Sequence, residues 1–272
     1  MCADRALGRA SMAGVTRDVS IERALAWEGC LNARDLGGLL TVDGRRTRPA
    51  ALIRSDTLTR LSPAGRAALI AHGVRTVVDV RFPSEIERDD PAHPFRDGLD
   101  GVLYLNRPTN VGRTAEEEDA IVAGVRAGAS RLELNLIDLD ANAAGFASIA
   151  TTIARAPAGG VVVHCHAGKD RTGIAIALVP ALVGVPDETI AADYALSRVN
   201  LEGLTQAWLD GISQDEVERA RLREQADPTP EAMLAVLAHL RRRHGGADAY
   251  LLAGGAGPSD LAALRARLLA TP

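Results

Sequence analysis

At 272 residues, with 47% hydrophobic and 24% charged residues, the chain can bury a sizeable core as an ordinary globular protein. A net charge of -4 gives no general reason to expect a polyanionic partner, and aromatics at 3% are too few for single-stranded nucleic-acid stacking platforms, so no nucleic acid is expected. No run approaches roughly 18 apolar residues, which excludes stable membrane insertion, and three cysteines (Cys2, Cys30, Cys165) suit a reducing compartment rather than a disulfide framework.

Residues 1–24 read as a loosely held arm without an uninterrupted apolar stretch, so no secretory signal is read and a cytoplasmic location is expected. A single domain is expected over 25–272. Ser62 and Pro63 supply an N-cap and a first-turn proline for a helix that Gly73 ends. Val74 to Val80 is a short β-branched run, predicted as a buried strand. A second strand is predicted at Gly101 to Leu105.

Residues 106–145 form a long excursion with helical character, a candidate lid. Within it, Thr114-Ala115-Glu116-Glu117 is a capping-box pattern, with Ala120, Val122 and Val125 following at helical spacing. A helix over Asn142 to Arg155 then leads to a third strand, Gly160 to Cys165, whose apolar run suits a strand covered on both faces. Everything after it reads helical: Ile174–Val183, Glu188–Ser197, the region from Leu201 to about Gln225, Pro230–His244 (Thr229 as cap, Gly245 as stop) and Ser259–Leu269. The order predicts an α/β domain with a small, mostly parallel central sheet and an all-helical C-terminal half.

The join between the third strand and the next helix carries the chemistry. His164-Cys165-His166-Ala167-Gly168-Lys169-Asp170-Arg171-Thr172-Gly173 puts a cysteine six positions before an arginine, and Lys169 is the one lysine among 31 basic residues. A nucleotide-binding loop fails here, because Asp170 follows Gly168-Lys169 and Val163 stands where the first glycine belongs. A metal site from His164, Cys165 and His166 fails too, since adjacent residues at a strand end diverge and no second ligand cluster is read from the sequence.

The remaining reading is an anion cradle with a nucleophile. Amides of His166 to Arg171 at a helix N-terminus attract an anion, and Arg171 grips two phosphate oxygens in a fork. Cys165 would sit beneath the anion's central atom, favoured as a thiolate by the same dipole and amides. The substrate-binding set is therefore His166, Ala167, Gly168, Lys169, Asp170, Arg171 and Thr172, with the Thr172 hydroxyl able to bond the sulfur. His164 lies behind the cysteine as a supporting residue. No cofactor and no metal is called for.

The Cys-x5-Arg-Thr-Gly signature resembles that of the cysteine-dependent protein tyrosine phosphatases, and looks closest to their bacterial tyrosine/serine (and lipid) branch. Asn32-Ala33-Arg34-Asp35-Leu36-Gly37-Gly38, Ile53-Arg54-Ser55-Asp56, the stretch Gly73 to Arg81, and Ala192-Asp193-Tyr194 are similar to that branch in order and spacing. The likeness covers roughly residues 28–270. It implies a protein-tyrosine-phosphatase-like fold and a metal-independent phosphomonoesterase forming a phosphocysteine. The implied substrate is phosphotyrosine in protein, with dual-specificity or phosphoinositide activity within reach. A phosphatase of a sugar or nucleoside phosphate, a sulfurtransferase and a phosphate-binding module without turnover are the alternatives. Partners are accordingly a phosphorylated protein, lipid or small molecule. The resemblance places Lys169 at the pocket rim and makes Asp79 the general acid, with Asp170 as competitor. The plainer reading of Asp79 is a strand-end carboxylate paired with Arg81.

Overall fold

The computed structural model describes residues 23–89, 95, 101–111, 114, 116, 119, 122–124 and 128–270. The expected arm, save Arg23 and Ala24, and Ala115 and Glu117 of the expected capping box lie outside the described residues.

Five short strands form one sheet: β1 (Arg34–Asp35), β2 (Leu52–Ser55), β3 (Val74–Asp79), β4 (Leu103–Asn106) and β5 (Gly160–His164). Their order is β1-β2-β5-β3-β4, with β1 antiparallel to β2 and every other pairing parallel. β5, the most apolar strand, takes the centre. Its side chains alternate between two cores: Val161 and Val163 face a large one, Val162 a smaller one. The sequence reading found β3, β4 and β5 but not β1 or β2. β2 reads Leu-Ile-Arg-Ser, and its charged Arg54 breaks the apolar pattern although all four residues are buried.

Helix α1 (Pro63–Ala71) begins as expected, with the Ser62 hydroxyl accepting from the Gly65 amide, and covers the smaller core. α2 (Pro83–Asp89) follows β3. Before β5 come α3 (Arg131–Ala141) and α4 (Ala143–Arg155). The capping box that starts α3 is Ser130 with Glu133.

After β5, α5 (Asp170–Leu182) is buried on nearly every side, as its unbroken apolar run requires. α6 (Asp187–Asn200), α9 (Pro230–His244), α10 (Ala247–Ala253) and α11 (Pro258–Leu268) pack around α4 and α5 to close the large core. α7 (Glu202–Ile212) and α8 (Glu216–Ala226) replace the single helical region expected over 201–225, divided where Asp215 caps α8. α8 buries no residue of its own. No helix among the described residues is long and apolar enough to cross a membrane.

Parallel pairing aligns the C-terminal ends of three strands. Ser55 of β2 and Asp79 of β3 both stand opposite His164 of β5. The loop from Cys165 to Lys169 leaves this edge, where ligands of open α/β sheets gather, and runs into α5.

Candidate active site

Cys165 closes β5 and is buried, and its Sγ lies at the base of the loop that leads to α5. Every carbonyl from Cys165 to Lys169 is turned outward to a donor. Cys165 O lies 3.0 Å from His164 Nδ1, His166 O accepts from the Thr57 amide, and Ala167 O accepts from Asn32 Nδ2 at 3.0 Å. Gly168 O accepts from Asn32 Nδ2 at 3.2 Å and Arg54 Nη2 at 2.7 Å; Lys169 O accepts from Arg54 Nη2 and the Gly173 amide. With the carbonyls held outside, the amides of His166 to Arg171 donate to no protein acceptor among the described residues. That is the geometry of an anion nest on a helix N-terminus.

The turn depends on Gly168. Its φ of +64° suits glycine, and a β-carbon there would lie 2.1 Å from the Ser55 carbonyl oxygen. The donors behind the loop are themselves fixed. Asp56 accepts from the amides of Leu31 and Asn32. Buried Asp193 of α6 takes Arg54, Arg34 and Arg23 on its two oxygens, at 3.0, 3.2 and 2.9 Å. Burial works to raise the pKa of Asp193, but the Arg34, Arg54 and Arg23 charges outweigh it and hold the carboxyl well below its usual range. Arg34 reaches Asn32 Oδ1 at 2.6 Å and so orients the amide that grips the loop.

Arg171, in the first turn of α5, forms a fork with Glu85 of α2, at 2.5 and 2.9 Å, and its guanidinium lies 4.9 Å from the Phe82 ring centre. The pair keeps the guanidinium plane in place beside the nest. The Thr172 hydroxyl is buried without a protein partner, so it makes no bond to the Cys165 sulfur here and remains a free donor at the loop's base. His166, Ala167 and Lys169 line a cleft of about 460 Å³ with Arg60, Arg131 and an apolar wall of Leu201, Leu204 and Trp208. Lys169 Nζ donates to Ala226 O at 2.6 Å, tying the loop to the end of α8.

The two aspartates differ sharply. Asp79 is fully buried and takes the Arg81 guanidinium on both oxygens, with Tyr104 Oη donating at 2.8 Å. Burial works to raise its pKa, but the charges of His164 and Arg81 and the Arg81 hydrogen bonds hold it down at about 2. A carboxylate with no exposed surface and a strong hold on its charge is a poor proton donor. Its burial and its pairing with Arg81 are the arrangement that the plainer reading, a strand-end carboxylate, describes. His164, fully buried, stands 3.7 Å from Asp79; burial pushes its pKa down against the opposing pull of the Asp79 charge.

Asp170 opens α5 with its side chain 24% exposed. It accepts from Tyr194 Oη at 3.0 Å and lies 3.3 Å from Arg131 and 3.8 Å from Lys169, two of the residues lining the cleft.

Glu85, Arg54, Asn32 and Asp193 are the supporting residues that sequence reasoning did not assign to the site. Asn32, Arg54 and Asp193 fell inside segments matched by resemblance, but their partners lie more than a hundred positions away. Cys30 does not join Cys165; its thiol is pushed up to about 12 by burial and the Asp56 charge, and stays inert.

A family model described as "Tyrosine phosphatase family" matches residues 25–270. A tyrosine-protein phosphatase of Nostoc commune is 32% identical over 245 residues, covering 80% of this chain and 74% of the relative. The triple specificity protein phosphatase PtpB of Mycobacterium tuberculosis is 29% identical over 206 residues, covering 68% and 73%. A candidate tyrosine-protein phosphatase of Cupriavidus necator is 32% identical over 178 residues, covering 64% of this chain, which spans 63% of that relative's length. The matched segment takes in both sheet edges, the cysteine loop and the arginines behind it: the chain belongs to the tyrosine phosphatase family.

Proposed function

We propose that the chain hydrolyses phosphate monoesters through a phosphocysteine, without a metal, and that phosphotyrosine in protein is its main substrate. The observation that carries this is the loop itself. Five consecutive carbonyls are tied outward, leaving the loop amides without protein acceptors among the described residues, between buried Cys165 and Arg171 in the first turn of α5. Tetrahedral phosphate presents oxygens to such a nest, and its phosphorus would lie above Cys165 Sγ.

In the first step the thiolate attacks phosphorus while the ester P–O bond breaks. Arg171 and the loop amides take up the charge that develops on the equatorial oxygens. Asp170, at the mouth of the loop, lends its proton to the departing oxygen; the same carboxylate then removes a proton from the water that cleaves the P–S bond. Thr172 donates to the sulfur as it leaves. Asp79 takes no proton; with Arg81 it braces the end of β3. The apolar wall of the cleft suits a phenyl ring, and Arg60, Arg131 and Lys169 suit acidic groups around it. The relatives named as tyrosine and triple specificity phosphatases support the same substrate class.

Hydrolysis of p-nitrophenyl phosphate in excess EDTA tests the reading. The parent should turn over fully, while Cys165→Ser should lose turnover and keep vanadate binding, because the hydroxyl stays protonated and the nest survives. Hydrolysis by that variant near the parental rate, or loss of parental activity in EDTA, would overturn the mechanism.

A further inference from the structure

The three helices α3, α9 and α10 bring together a cluster that plays no part in the phosphate site. Asp140 lies near the C-terminal end of α3; His239 and His244 lie in the last turns of α9. The two imidazoles aim the same atom at one carboxylate oxygen, His239 Nε2 at 2.9 Å and His244 Nε2 at 2.7 Å from Asp140 Oδ1. The three atoms able to ligate all lie within 4.8 Å of one another. We propose that Asp140, His239 and His244 form a binding site for a divalent transition-metal cation of the zinc class.

Bonds of 2.0–2.1 Å at tetrahedral angles hold ligand atoms roughly 3.3 Å apart, so small side-chain adjustments would seat the ion. Two imidazoles and one carboxylate select zinc-like ions over magnesium or calcium, which prefer all-oxygen shells. Three protein ligands leave a fourth position for water. One of the two rings is packed against an aromatic neighbour. Tyr250 stands edge-on to His244 with centroids 5.1 Å apart, and its hydroxyl donates to Leu139 O at 2.6 Å, beside Asp140. Solvent reaches the site, with the Asp140 side chain 42% exposed and the imidazoles 21% and 22%.

A bound ion would clasp the end of α3 to α9. The opposite end of α3, about 15 Å away along an 11-residue helix, carries the Arg131 that pairs with Asp170. The clasp therefore fixes the helix that supplies part of the cleft wall.

The test uses the full chain carrying Cys165→Ser, so that the active-site thiol cannot compete, stripped of metal with a chelator. Zinc is titrated by calorimetry and cobalt(II) by visible absorption. One equivalent of each should bind, cobalt should show ligand-field bands without a thiolate charge-transfer band, and zinc should raise Tm. His239→Gln with His244→Gln should weaken binding by roughly 100-fold or more, beyond the loss seen for outer contacts alone. In the Cys165-intact chain the same pair should leave p-nitrophenyl phosphate turnover unchanged, which shows the fold is kept. Should the pair fail to fold, the imidazole nitrogen resonances of the unsubstituted histidines, shifting on zinc addition, give the same reading. Absence of saturable binding, equal binding by the variant, or resonances unmoved by zinc would overturn the site and leave a hydrogen-bonded helix clamp.

Discussion

The end of β3 and the start of α5 each offer an aspartate to the same sheet edge, and their surroundings are opposite. At β3, Asp79 has no exposed surface and holds Arg81 on both oxygens. At α5, Asp170 remains partly exposed beside the cleft, steadied by Tyr194 and Arg131. A carboxylate locked to a buried arginine braces structure, whereas one at a wet mouth can exchange protons with substrate and water. Position along the strand edge is shared; solvent access and pairing differ, and the proposed roles follow from that difference.

The largest effect expected from breaking this contrast is kinetic. Asp170→Asn should lower turnover of phenyl phosphate by roughly 10²–10⁴-fold and hardly change p-nitrophenyl phosphate, whose leaving group departs without a proton. Steady-state rates with both esters check it. If Asp79→Asn shows that leaving-group dependence and Asp170→Asn does not, the assignment is reversed.

Asp79→Asn should instead act on stability. Removing one partner leaves the Arg81 charge buried and uncompensated, a loss of about 3 kcal/mol or more in denaturant unfolding, with near-parental turnover in the folded fraction. The pH dependence follows from a folded pKa of about 2, below the unfolded value of about 3.9. Its contribution is fully present above the unfolded value and is lost as pH falls through the folded one. Melting scans between pH 5 and pH 2 should therefore be shallower in Asp79→Asn than in the parent. Identical slopes would deny Asp79 its bracing role.

The smallest effect sharpens the mouth of the loop. Lys169→Ala removes a charge from the cleft and a tie to Ala226 at the end of α8, so specificity constants should fall a few-fold more for multiply phosphorylated substrates than for singly phosphorylated ones. Equal losses for both would make Lys169 a tie between loop and helix and nothing more.

Local signals were legible wherever cause and effect lie within a few residues. Thr229 caps α9 and Gly245 stops it at φ +77°, as the sequence predicts, because capping is a contact three residues long. The cysteine loop was legible for the same reason: cysteine, turn glycine and arginine sit in one stretch. β2 was hidden because Arg54 and Ser55 interrupt its apolar run, and they are buried only because Asp193 and the loop carbonyls receive the arginine. The Glu85 fork was equally hidden, since its partner is 86 positions away.

By itself the sequence determined the α/β order, the central buried strand, the helical C-terminal half and the contiguous Cys165-to-Gly173 stretch that joins strand to helix, all set by periodicity, caps and one motif. The tertiary structure alone decided which aspartate meets solvent, which arginines hold the loop from behind and where two histidines converge on Asp140. Those outcomes depend on burial and on charges brought together from distant segments. Neither is a property of any short stretch of chain.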